Sequence, residues 1–234
     1  MSTCIITGAS SGIGRAAAIE TSYLNEYKNF VIIGRRKDEL EKTADLMSKK
    51  VNVQILIEDI GNISKIPDLI SKIFKKYKDI HCLMNIAGYT DPKFLLETTE
   101  ENLRKTFEVN VFAPYILCRE CALYMKTNKE VSKIINIAST AGNSPRPGWS
   151  VYAMSKAAII EMSLTLTEEL SSYGIKVYCL SPGRCATSLR KILAPEEDQS
   201  KIMQPREVGK EIARMASKAE NCLDGQNIIV RKKF

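Results

Sequence analysis

Tyr152 and Lys156 stand four residues apart in Tyr152-Ala153-Met154-Ser155-Lys156-Ala157-Ala158-Ile159, a segment that reads as the opening of a helix. At that spacing two side chains share one helix face. A lysine ammonium beside a phenol favours the phenolate, and is expected to lower the phenol pKa from its ordinary value of about 10. Tyr152 then becomes a general acid or base usable near neutral pH, a contribution of about 10²–10⁴-fold to rate. Ser139, thirteen residues before Tyr152, can donate a hydrogen bond to a substrate oxygen on which charge changes. A tyrosine and a lysine so spaced also occur on ordinary helix surfaces, so the pair needs support from elsewhere in the chain.

That support is Thr7-Gly8-Ala9-Ser10-Ser11-Gly12-Ile13-Gly14. Cys4-Ile5-Ile6-Thr7 before it reads as a short apolar strand, and Ile13 to Glu20 after it opens a helix. Strand, glycine turn and helix form the context that a dinucleotide site requires. Gly8 and Gly12 permit unusual backbone angles, and Gly14 permits close approach of helix to strand. The helix start offers N–H groups and a positive dipole end to a pyrophosphate.

The elements that must position these residues alternate along the chain. Strands are expected at 3–7, 29–34, 52–57, 80–85, 133–138, 175–180 and 226–230, and helices at 12–27, 37–49, 63–77, 99–126, 153–172 and 205–218. Alternation with near-continuous apolar strands predicts an α/β chain: a Rossmann-like, doubly wound parallel sheet of seven strands with helices on both faces. No linker or repeat interrupts it, so residues 1–234 read as a single domain. The glycine loop, Asn85–Gly88, Ser139 and Pro182–Gly183 all follow strands, and the topology predicts that they converge on one sheet edge.

The motifs resemble those of the short-chain dehydrogenase/reductase family, in family order: TGASSGIG at Thr7–Gly14, Asn85-Ile86-Ala87-Gly88, Asn110, Ser139, Tyr152 with Lys156, and Pro182-Gly183. The resemblance implies a reductase in which Tyr152 gives the proton and Ser139 holds the substrate oxygen. Lys156 binds the nicotinamide ribose, and Asn110 relays a proton through the backbone and Lys156. It implies cofactor contacts at Gly8, Ser10, Ser11, Gly12, Ile13, Gly14, Asn85, Ala87, Gly88, Pro182 and Gly183. Asp59, with Ile60 beside it, matches a residue that accepts from the adenine amino group, and Thr187 one that meets the nicotinamide carboxamide. Two departures stand out. Ile86 replaces a second asparagine that can brace the sheet, and His81, the only histidine, replaces an acidic residue opening the fourth strand.

The second strand bears on the choice of cofactor. Asn29 to Ile33 ends in Gly34-Arg35-Arg36, where relatives that prefer NAD carry an acid for the adenosine ribose. A guanidinium there pairs with a 2′-phosphate, so NADP(H) is expected through Arg35 and Arg36; the other reading leaves an arginine exposed at a strand end.

Composition sets outer bounds. A chain of 234 residues can bury a sizeable core. No apolar run approaches the ~20 residues of a membrane span, and with the first strand expected from about residue 3 no targeting segment is expected. Cys4, Cys82 and Cys179 lie in apolar runs, and Cys118-Arg119-Glu120-Cys121 lacks a second pair, so no metal site and a reducing cytoplasm are expected. The net charge of +7 comes with no nucleic-acid module; Lys72 to Lys78 reads as the solvated side of a helix whose apolar side includes Ile66, Ile70 and Ile73.

Arg146, Arg184, Arg190 and Lys191 suggest a cationic mouth for an anionic substrate, for instance a ketose phosphate such as ribulose 5-phosphate or an acyl-carrier phosphopantetheine; alternatively they are solvated or pair with Glu196, Glu197 and Asp198. Ser181-Pro182-Gly183-Arg184-Cys185-Ala186-Thr187 and the closing Asp224-Gly225-Gln226-Asn227-Ile228-Ile229-Val230 resemble alditol-phosphate-forming reductases of surface-polysaccharide pathways, which leans toward the sugar phosphate. A 3-oxoacyl-(acyl-carrier-protein) reductase, a broad carbonyl reductase and an idle NADP(H)-binding regulator are the alternatives. The long helices carry apolar residues beyond what one sheet face covers (Leu117, Leu123, Met125, Ile160, Met162, Leu166), which with the resemblance predicts a homodimer or homotetramer.

Overall fold

Strands that are apolar at successive positions can be satisfied only by cover on both faces, and the sheet of this protein has it. The computed structural model describes residues 2–232. Among these, β1 (Thr3–Thr7), β2 (Asn29–Gly34), β3 (Asn52–Ile57), β4 (Cys82–Asn85), β5 (Ser132–Ile137), β6 (Ile175–Pro182) and β7 (Asn227–Val230) form one parallel sheet in the order β3-β2-β1-β4-β5-β6-β7. Alternate side chains divide between two cores. Cys4 and Ile6 of β1 face α1 (Gly12–Ser22) and α8 (Pro205–Ala216), with Val208 and Ile212. Ile5 faces the opposite way, toward α3 (Ile66–Tyr77) and α5 (Ala113–Met125), with Ile70 and Leu117.

The chain winds outward from β1 to β3, then returns to lay β4 on the other side of β1. That reversal opens a crevice at the carboxyl ends of β1 and β4, where ligands of such sheets bind. The remaining helices are α2 (Lys37–Leu46), α4 (Glu100–Phe107), α6 (Ser150–Leu170) and α7 (Ser188–Leu193). No helix among the described residues is long and apolar enough to cross a membrane.

Helices α1 and α2 end at Ser22 and Leu46, short of the expected 27 and 49, and three further elements differ from the sequence reading. The helix expected at 99–126 is interrupted by a π turn at Glu108–Phe112, between α4 and α5. Pro114 explains it: proline has no N–H for the carbonyl four residues back, that of Asn110, and its ring crowds the same carbonyl. Helix α6 starts at Ser150, which places Tyr152 inside its first turn. Helix α7 was not anticipated; Thr187 caps it, its hydroxyl accepting from the Arg190 N–H at 3.1 Å.

The apolar surplus assigned to the long helices is also redistributed. Leu117 and Met125 are fully buried in the sheet-facing core, and Ile160, Met162 and Leu166 pack partly against it. Leu123 is exposed, together with Phe112 and Tyr115 of the same helical run and Met154 of α6.

Candidate active site

The crevice is a cleft of about 1280 Å³, larger than the ~300–1,000 Å³ typical of a site for one drug-sized molecule. Its floor is the glycine loop. Gly8 has φ +72°, and a Cβ on it would lie 2.7 Å from the Ala87 backbone; a Cβ on Gly14 would lie 2.2 Å from the Gly8 carbonyl oxygen. Only glycine fits either place. Thr7 ties this loop to the one after β4: its hydroxyl accepts from the N–H groups of Ile86 and Ala87 at 3.1 and 3.2 Å. Arg15 braces the loop from behind, donating to the Ser10 carbonyl at 2.7 Å and to the Thr43 hydroxyl at 3.0 Å, and pairing with Glu39. The sequence marks Thr7 only as the first residue of the glycine motif and gives Arg15 no role, because the partners Ile86, Ala87, Glu39 and Thr43 lie distant along the chain.

Ser10 to Gly14, Arg35, Arg36, Asp59, Ile60, Ala87, Gly88, Pro182, Gly183 and Thr187 all line the cleft. Ser11 precedes α1 in extended conformation and gives it no side-chain cap, which leaves the first-turn N–H groups for a ligand. Beyond Gly34, Arg36 Nη2 lies 3.5 Å from Ser10 Oγ, and Arg35 makes only a loose, exposed pair with Asp59 at 3.8 Å. A glycine cradle at a helix start with two arginines beside it fits a phosphorylated dinucleotide. Asn85 departs from expectation. It is buried outside the cleft lining, and its side-chain amide donates to Asn136 Oδ1 at 2.8 Å and to Cys118 Sγ at 3.3 Å. The Asn136 amide continues to Ser163 at 3.0 Å, so this polar chain braces β4, β5 and α6 beneath the site.

At the other end of the cleft, Ser139 follows β5, and Tyr152 and Lys156 project from α6. Ser139 Oγ accepts from the Ala141 N–H at 3.1 Å, which leaves its own proton to donate. Lys156 Nζ donates to the Ile137 carbonyl at 2.8 Å and lies 5.8 Å from the centre of the Tyr152 ring. Asn110 is buried in the π turn outside the cleft lining; its amide donates to the Tyr89 carbonyl at 2.9 Å and to Ser155 Oγ at 3.0 Å, and accepts from the Tyr89 N–H at 2.8 Å. It therefore clamps the loop after Gly88 onto α6.

The electrostatics correct one expectation. Tyr152 is not lowered by Lys156: burial pushes it up to about 12, against the opposing pull of the Ser139 hydrogen bond and the Arg190 charge. Burial also brings Lys156 down to about 8. Both groups lose water together, and the ammonium is directed at the Ile137 carbonyl. Near neutral pH the phenol keeps its proton, the form a proton donor needs.

At the substrate end, Arg184 and Arg190 follow the paired one of the two readings. Both pair with Glu197, at 3.2 and 2.5 Å, so the carboxylate that these two arginines could take from a ligand is supplied from within the chain, while one carboxylate offsets only one of the two charges. Arg146 lines the same cleft and is exposed. Trp149 stands edge-on to Tyr152 at 6.5 Å between ring centres, with the Arg190 guanidinium 5.5 Å from the centre of its ring. Sequence reasoning misses Trp149 as a site residue and reaches Glu197 only as one possible partner of the arginines. The contact of Trp149 with Arg190 exists only once the start of α6 meets α7.

A family model described as short chain dehydrogenase matches residues 2–198. The chain is 31% identical over 237 residues to a 3-oxoacyl-(acyl-carrier-protein) reductase FabG of Rickettsia felis, covering 97% of this chain and 94% of that protein. It is 29% identical over 238 residues to its namesake from Thermotoga maritima, covering 96% and 94%. Among solved structures, an alcohol dehydrogenase from Thermococcus sibiricus complexed with 5-hydroxy-NADP superposes with a TM-score of 0.85 at 22% identity, covering 99% of this chain and 96% of that one. Acetoin dehydrogenase YohF from Salmonella typhimurium superposes with a TM-score of 0.85 at 22% identity, covering 98% and 94%.

Proposed function

The chain belongs to the short-chain dehydrogenase family of oxidoreductases, and from that premise we propose that it is an NADP(H)-dependent carbonyl reductase forming a secondary alcohol. The observation that carries the reading is the meeting of Ser139, Tyr152 and Lys156 with the glycine loop in one cleft. Gly8 to Gly14, Ala87, Gly88 and Thr187 would hold the nucleotide, with Arg35 and Arg36 at its 2′-phosphate. Bound NADPH supplies a hydride. Ser139 donates a hydrogen bond to the substrate carbonyl oxygen, and Tyr152 delivers the proton to it as charge develops. Lys156 keeps positive charge beside that oxygen, and Asn110 holds the Tyr89 backbone against α6.

The substrate class favoured is a ketone uncharged near its reacting carbon, such as a 3-oxoacyl thioester. Two observations support it: the likeness to 3-oxoacyl reductases along nearly the whole chain, and the internal pairing of Arg184 and Arg190. A ketose phosphate would have to displace Glu197 and loses its support. Free cysteines, all buried but Cys222, fit a reducing cytoplasm. The exposed Phe112, Tyr115, Leu123 and Met154 fit pairing of two copies through α5 and α6.

The test is NADPH oxidation with acetoacetyl-thioester and simple ketones. Tyr152→Phe is expected to lose about 10²–10⁴-fold in turnover while still binding NADPH. Turnover near wild type in that variant would overturn the assignment.

A further inference from the structure

Glu197 occupies an unusual place for a carboxylate. It lines the substrate end of the cleft with its side chain only 16% exposed, and its two oxygens serve two different guanidiniums. Oε2 meets Arg190 Nε at 2.5 Å and Oε1 meets Arg184 Nη1 at 3.2 Å. Charge-assisted bonds to guanidinium are the strong ones, and two arginines converging on one planar carboxylate form the seat that a carboxylate or phosphate ligand would take. Here the seat is filled from within. Arg190 is fixed on its other side by Trp149, whose ring stands against Tyr152, so one ring joins the seat to the proton donor.

We propose that Glu197 is a specificity-determining residue: its carboxylate fills the anion seat formed by Arg184 and Arg190, so the site turns away substrates that are anionic beside the reacting carbonyl and takes neutral ones. The proposal deepens the carbonyl-reductase reading and rests on it for its kinetic consequence. An incoming anion must break both Glu197 contacts and then sit beside the displaced carboxylate, two costs that a neutral ketone avoids. Neutralising Glu197 removes both costs and opens to an anion the guanidinium positions that Glu197 holds, above all Arg190 Nε. The pairing also holds the Glu197 carboxyl below its ordinary range, so the seat stays filled throughout neutral pH.

Acetoacetate and ethyl acetoacetate present the same ketone with and without a charge, and the ratio of their kcat/KM values reads the seat. Wild type should favour the ester. Glu197→Gln should shift the ratio toward acetoacetate by at least tenfold, and Glu197→Asp, which keeps the charge, should stay near wild type. A second readout needs no turnover. Trp149 is the only tryptophan in the chain and lies against Arg190, so its emission reports an anion arriving there. Acetoacetate should change Trp149 emission in Glu197→Gln at concentrations that leave wild type unaltered. An unchanged ratio, or equal shifts in the Gln and Asp variants, would overturn the proposal, as would equal acetoacetate binding by wild type and Glu197→Gln. If wild type reduces neither ketone with NADPH, the reductase reading fails, while the emission titration still decides whether Glu197 fills an anion seat.

Discussion

The ammonium of Lys156 donates to the backbone carbonyl of Ile137 at 2.8 Å, pinning α6 to the carboxyl end of β5 at the point where Ser139 leaves the sheet. One buried charge thereby sets the distance between the two elements that carry the proton donor and the residue placed to hold the substrate oxygen. The contact comes at a cost, because burial disfavours the charged lysine, and its pKa falls from 10.5 to about 8.

The cost has a sign that can be measured. The folded pKa lies below the unfolded one, so between about pH 8 and 10.5 the unfolded chain binds more protons at this residue, and stability rises with pH. Below about pH 8 the penalty is fully present. Lys156→Met should therefore gain up to about 2 kcal/mol at pH 7, the lost Ile137 bond offsetting part of the relief, with reductase activity abolished. Denaturant melts at pH 7 and pH 10 should show that gain shrinking at the higher pH.

Cofactor choice follows from the end of β2. NADPH should bind more tightly than NADH, and Arg35→Ala should erase most of the difference, a loss of about 1.5–3 kcal/mol for one charge-assisted phosphate contact. Arg35 has little to hold it otherwise, since its pair with Asp59 spans 3.8 Å in the open. Fluorescence titration with both nucleotides decides the matter. Equal affinities in the wild type would refute the reading.

Gly14 tolerates no side chain. A Cβ at 2.2 Å from the Gly8 carbonyl oxygen forces the helix start away from the loop, so Gly14→Ala should cost about 1–3 kcal/mol of stability. It should also weaken NADPH binding more than tenfold. Thermal melts with and without nucleotide separate the two effects.

The exposed apolar residues of α5 and α6 predict the assembly. Tyr115→Glu with Met154→Lys should convert a dimer or tetramer to monomer in light scattering at micromolar concentration, with little change in the far-ultraviolet spectrum, because both side chains are about half exposed in the single chain. A wild type already monomeric there would end the proposal.

Much of the architecture was legible in the sequence because it depends on local order. Apolar runs of four to eight residues alternating with helical periodicity determined the βα succession, and Thr7–Gly14 between strand and helix marked the first turn. Tyr152 and Lys156 share a helix face at any tertiary arrangement, so their partnership could be read directly. The charge state of that partnership could not. It depends on how much water each group loses, which only the packing of α6 against β5 decides, and desolvation reversed the expected direction for Tyr152. The same reason accounts for Asn85, which turns into the sheet toward Asn136, and for the π turn, where one proline shapes backbone that periodicity reads as uninterrupted helix. Arg184, Arg190 and Glu197 were visible as charges near one another in the sequence. Whether they face solvent, a substrate or each other is settled by distances of a few ångströms, and those come only from the fold.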